Sequence, residues 1–168
     1  MAIASVKTSR PSPAGYFLAE DEGAGLLPWS HVAERMREAW NYWLATCSES
    51  GRPHAMPVWG VWLDDEFLFS TGPTTRKARN VAAHPWASLH LESGNQVVVV
   101  EGAVRETSDA RDIERYIAAY NPKYSWDFRP EQLQRGLFVL RPERAFAWLD
   151  GQGEGFSGTA TRWIIEED

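Results

Sequence analysis

The chain is short of cysteine, of long apolar runs and of positive charge, and each shortage removes a class of explanation. Cys47 is the only cysteine, so an intrachain disulfide is impossible and nothing points to an oxidising compartment or a structural zinc site. No apolar stretch approaches the ~20 residues needed to cross a bilayer, and the N-terminus lacks the apolar core of a secretory signal. The expectation is a soluble cytoplasmic protein with no membrane partner. Lys and Arg number 17 against 23 Asp and Glu, a formal net charge of −6. That balance disfavours nucleic acid, whose phosphate backbone requires a basic surface. Any anion site must therefore be local.

What the chain does have is tryptophan. Its 168 residues fit one domain with a real core, and nine of them are Trp. Tryptophan offers a large apolar area with a single N–H to satisfy, and it is favoured in cores, in interfaces and around flat ligands.

Residues 1–25 mix Ser, Pro, Gly and Ala with little period and read as a loosely ordered arm, leaving residues 26–168 as a single domain. After Pro28 a helix is expected, capped by Ser30, with Val32, Met36, Ala39 and Trp40 on its packing face. From Tyr42 the apolar period becomes two. Tyr42 to Ser48, His54 to Leu63 and the segment from Phe67 read as hairpin-linked strands, the second interrupted by Pro57, which cannot donate to a ladder. Further strands are expected at 86–92, 96–105, 137–140, 144–149 and 161–165, with a capped helix from Ser108 and Asp109 to Tyr120. Asn121 to Pro130 reads as an aromatic-rich loop. Short, evenly spaced strands with few helices between them argue for a mainly β protein, a small antiparallel barrel that closes its own edges.

One stretch organises the functional reading. Phe67 and Phe69 alternate in a strand, Gly72-Pro73 breaks it, and Thr74 to Ala83 reads as a helix that carries Arg76, Lys77 and Arg79 near its start. Free N–H groups, the positive end of a helix dipole and cations then converge where a phosphate or carboxylate can be held. Without that convergence the same residues describe an ordinary turn and a solvated helix face. A bulge at Pro57, beside Val58, Trp59 and Gly60, would free backbone groups to meet a ligand's polar edge.

In order along the chain stand Arg52-Pro53-His54, Pro57-Val58-Trp59, Phe69-Ser70-Thr71-Gly72, Arg76-Lys77-Ala78-Arg79-Asn80, His84-Pro85, Gln96-Val97 with Glu101-Gly102, and Thr161-Arg162-Trp163. This series resembles the pyridoxamine 5'-phosphate oxidase-like split-barrel superfamily, most of all its flavin- and deazaflavin-dependent oxidoreductases, over nearly the whole chain. The resemblance implies a homodimer of split β-barrels with FMN, or alternatively the deazaflavin coenzyme F420, in grooves between the subunits. It implies that Arg76 and Lys77 hold the cofactor phosphate with Ser70 and Thr71 on the preceding strand, and that Gln96 contacts the flavin. Pro57, Val58 and Trp59 would run along the ring. Trp148 and Arg162 would be the partner subunit's contribution, with Trp163 competing for the role of Trp148.

The chain departs from the oxidase itself at its C-terminus. The Arg-x-His pattern that grips the pyridoxal substrate is missing, and Thr161-Arg162-Trp163 stands in its place. The expected activity is hydride transfer between the cofactor and a small conjugated substrate, with no catalytic side chain of the protein's own. Two alternatives remain at the level of sequence: a flavin carrier or sensor without turnover, and a haem-binding relative with His54 or His90 as axial ligand.

Overall fold

The computed structural model describes residues 5–11, 24–150 and 158–166. Nine strands and three helices are described: β1 (Ser5–Ser9), α1 (Trp29–Glu38), β2 (Tyr42–Cys47), β3 (Pro53–Val58), β4 (Gly60–Leu63), β5 (Glu66–Ser70), α2 (Arg76–Ala83), β6 (Trp86–His90), β7 (Gln96–Thr107), α3 (Ala110–Tyr124), β8 (Leu137–Leu149) and β9 (Thr161–Glu166). All strand pairings are antiparallel.

The hydrogen-bonded order is β1-β9-β8-β7-β6-β2-β3, while β5 pairs with both β4 and the first part of β8. A ring β2-β6-β7-β8-β5-β4 follows from these pairings, and the chain itself completes it through Trp59, where β4 leads back to β3 beside β2. Two clusters fill it from either side. Tyr42, Leu44, Phe67, Phe69, Leu140 and Trp163 pack in the interior. Val61, Leu68 and Val139, which alternate with interior residues along the same strands, pack outward against Ile113, Tyr116 and Tyr120 of α3. Strands β4, β5 and the start of β8 are therefore buried on both faces.

Several local expectations change. The interruption near Pro57 falls two residues later, at Trp59, and Pro57 stays inside β3, which among the described residues pairs only with β2 and so tolerates a residue without an N–H. Segments 137–140 and 144–149 are one strand, β8. The Arg141-Pro142-Glu143 interruption is absorbed by a register shift opposite Glu101/Gly102. Gly102 is required there, because a Cβ would lie 1.8 Å from the Arg141 carbonyl oxygen.

Helix α3 runs on to Tyr124 despite Pro122, since Tyr116, Tyr120 and Tyr124, four residues apart, are all buried along one face. Helix α1 begins at Trp29, so Ser30 lies inside it rather than capping it, and Trp40 lies beyond its end, 53% exposed. Within the stretch expected to be a loose arm, Ser5–Ser9 pair with β9; residues 1–4 and 12–23 lie outside the described residues, as do the Gly-rich residues 151–157.

Candidate functional site

Helix α2 opens with the local signals that the sequence carries. Thr75 is its N-cap, its side chain accepting the Ala78 N–H, and its hydroxyl lies 3.1 Å from that of Thr71 at the end of β5. The helix is fixed to β2 from below: Asn80, buried, donates through Nδ2 to Thr46 Oγ1 at 2.9 Å. Thr46 pairs with His54 across the β2–β3 ladder. His54, Arg76 and Lys77 are thereby brought close together, and burial, with the two cations adding to it, holds the imidazole below its ordinary pKa. Burial also lowers the pKa of Lys77.

Among the described residues no carboxylate answers this charge. Arg76 and Lys77 make no ion pair among the described residues, and the His54 Nδ1 is covered without a hydrogen-bond partner. Two uncompensated cations, an orphaned ring nitrogen and the N-terminus of an eight-residue helix form a set of donors that fits a phosphate.

The other predicted residues fall into three places. Ser70 is turned to the opposite side of β5, where its Oγ accepts from the Tyr116 hydroxyl at 3.0 Å, so of the predicted pair Thr71 is the one beside α2. Pro57, exposed, and Val58, buried, lead along β3 toward Trp59. The span from His54 to Trp59 is ~17 Å at an extended rise of ~3.3 Å per residue. Trp59 leaves the ladder, stacks on Tyr124 at 4.8 Å and donates through Nε1 to Asn41 Oδ1 at 3.1 Å.

Gln96, Trp148 and Arg162 gather on neighbouring strands away from α2. Gln96 is exposed and opposite Leu149, Trp148 is half-buried and opposite Val97, and Arg162 is opposite Phe146 with its Nε donating to Ser9 Oγ. Trp163 is fully buried, edge-on to Trp29 at 5.9 Å, so only Trp148 of the two is open to a ligand or partner.

The register lines up Pro57, Trp43, His90, Val99, Phe146, Arg162 and Ser9 directly across seven strands. Apart from exposed Pro57, each is half-buried, and Trp43 stacks flat on His90. This is the outward face of the sheet. It carries more apolar surface than a solvated strand face does.

Sequence reasoning missed three aromatic or cationic positions. Lys123 and Tyr124 were read as loop, although the four-residue spacing from Tyr116 and Tyr120 signals a longer helix. Trp40 was read as packing. Lys123 donates to the Tyr42 hydroxyl at 2.9 Å and the Gly60 carbonyl at 3.2 Å, and burial pushes its pKa down to about 8. Its partners are far away in sequence, which left no local signal.

Residues 30–149 match the family model described as pyridoxamine 5'-phosphate oxidase. The chain is 32% identical over 150 residues to the pyridoxine/pyridoxamine 5'-phosphate oxidase of Azorhizobium caulinodans, a match covering 83% of this chain and 70% of that one. Among solved structures it is similar to a conserved hypothetical protein of Mycobacterium tuberculosis, with a TM-score of 0.64 and 21% identity over 73% of this chain and 84% of that one. It is also similar to an F420 reductase, with a TM-score of 0.55 and 20% identity over 67% of this chain and 93% of the other. Both likenesses are of fold.

Proposed function

The chain belongs to the pyridoxamine 5'-phosphate oxidase family, and from that premise we propose that it is an oxidoreductase using FMN, or alternatively coenzyme F420, as a homodimer with the cofactor at the subunit interface. The observation that carries this reading is the uncompensated cluster at the start of α2: Arg76, Lys77 and the unpartnered His54. A phosphate would satisfy all three. The absent Arg-x-His pattern argues for a small conjugated substrate other than a pyridoxal phosphate.

When bound, the cofactor supplies the hydride chemistry. The protein's residues hold and orient. Arg76 and Lys77 fix the charged end with Thr71 beside them, and β3, an edge strand with one side free of ladder partners, offers backbone groups along the ring as far as Trp59. Holding a flat molecule at two points supplies orientation without a catalytic side chain. The outward apolar face through Trp43, Val99 and Phe146 supports the dimer, which would bring the partner's Trp148, Arg162 and Gln96 into play.

Titration of FMN and of F420 into the purified chain tests the reading. Arg76→Ala and Lys77→Ala are each expected to weaken binding by ~1–3 kcal/mol, the scale of a lost charge-assisted hydrogen bond. Unchanged affinity in both variants would overturn it. Turnover with an electron donor separates an enzyme from a carrier, and a Soret band after haem addition, lost in His90→Ala or His54→Ala, would favour the haem-binding relative.

A further inference from the structure

Of the five large apolar side chains exposed among the described residues, three meet at one place: Trp40 at 53% exposure, Trp59 at 41% and Trp126 at 53%. They come from three separate segments, after α1, between β3 and β4, and after α3. Trp59 stands between the others, 6.2 Å from Trp40 at 69° and 6.5 Å from Trp126 at 79°. Tyr124 lies against both Trp40 and Trp59, each at 4.8 Å.

The arrangement is held in advance. The Tyr124 hydroxyl lies 2.8 Å from the Trp40 carbonyl and 2.9 Å from that of Gly60, and the Trp59 indole is pinned by Asn41. Trp40 also walls an open cleft of about 410 Å³ bordered by Arg35, Glu38, Asn41, Leu91, Glu92 and Ser93, within the range of small-molecule sites.

Resting on the oxidoreductase reading, we propose that Trp40, Trp59 and Trp126 form the docking platform for the substrate, a flat fused-ring molecule. Flatness follows from the indoles, whose faces and edges reward stacking. Trp59 ends the β3 run along which the cofactor ring is proposed, so a molecule stacked on it abuts that ring. A second copy of the chain has a broader surface to cover, the seven-strand face through Trp43 and Phe146.

Naphthalene-2-sulfonate, titrated into the full chain by calorimetry with tryptophan quenching in parallel, is the probe. Saturable binding is expected, weakened about tenfold or more by Trp126→Ala and by Trp40→Ala, the scale of one lost stacking contact. FMN and F420 affinities of both variants should stay within roughly twofold of the unsubstituted chain. The proposal falls if the probe does not bind, if neither substitution weakens it, or if cyclohexanesulfonate binds equally well. It also falls if Trp126→Ala dissociates an oligomer in sedimentation, or if cofactor displaces the probe and the variants lose both. Failure of the cofactor reading looks different: the probe binds and responds to the variants while neither cofactor binds.

Discussion

The Tyr124 hydroxyl accepts the Gly60 N–H at 3.1 Å, so a residue from the last turn of α3 closes the break at which β3 becomes β4. The same oxygen reaches the carbonyls of Gly60 and Trp40. One phenol thus ties the helix, the barrel break and the segment after α1 together.

Tyr124→Phe keeps the ring and removes that tie, leaving the buried Gly60 N–H without a partner. The expected loss is about 1–3 kcal/mol of stability. Urea unfolding followed by far-ultraviolet circular dichroism measures it, and a midpoint equal to that of the unsubstituted chain would refute the role given to the hydroxyl.

Lys123 makes stability depend on pH in the alkaline range. Its folded pKa is pushed down to about 8 by burial, whereas an unfolded lysine titrates near ~10.4. Between those values the unfolded chain keeps a proton that the folded chain has released, so stability rises with pH there; below about pH 8 the burden of burying the charge is present in full. Lys77, also lowered by burial, adds in the same direction. The gain ends as unfolded phenols ionise near ~10, because the pKa values of Tyr42, Tyr116 and Tyr124 are raised in the fold by burial. Urea midpoints are expected to climb from about pH 7.5 to about pH 9.5, with a smaller climb in Lys123→Met. Parallel curves for the two proteins would exclude Lys123 as the source.

Binding of a phosphate-bearing ligand is expected to take up a proton at His54. Burial, Arg76 and Lys77 hold the free imidazole below its ordinary pKa, and the β2 residue opposite it, Thr46, carries no charge. A bound dianion reverses the local sign and raises that pKa. The affinity advantage of the unsubstituted chain over His54→Gln should therefore grow as pH falls from about 8 to about 6.5, with the ligand's own titration cancelling in the comparison. Fluorescence titration of FMN across that range is the measurement, and a ratio constant with pH would count against the linkage.

Gly102→Ala probes the register shift between β7 and β8. The added Cβ meets the Arg141 carbonyl oxygen at 1.8 Å and the carbonyl carbon at 2.7 Å, both backbone, so relief requires the strand to move. A loss of about 1–3 kcal/mol is expected, as for other overpacked sites. Gly94→Ala, with nothing within 4 Å of its Cβ, is the control and should leave the thermal midpoint in place.

Much of the fold was legible because its signals are local. Alternation marked β2 and β5, the continuous run Val97 to Val100 marked β7, Thr75 and Asp109 capped α2 and α3, and cations at the start of α2 drew the eye to the anion site. Other features were hidden because their causes are distant in sequence. Pro142 looked like the end of a strand until Gly102 across the ladder made room for it. Pro122 looked like the end of a helix, yet burial of Tyr120 and Tyr124 carried the helix past it. Ser70 and Thr71, adjacent in a strand, were read together, and the period of two sends them to opposite faces.

By itself the sequence determined the mainly antiparallel β class, the helix that presents Arg76 and Lys77, and family membership, since period, caps and ordered motifs act over a few residues. Tertiary structure alone decided that His54 joins those cations without a counter-charge, and that Trp40, Trp59 and Trp126 meet around Tyr124. Both follow from closing the barrel, which brings α2 onto β2 and the end of α3 onto the β3–β4 break; packing and ladder hydrogen bonds between segments far apart in the chain set those distances, and no local pattern encodes them.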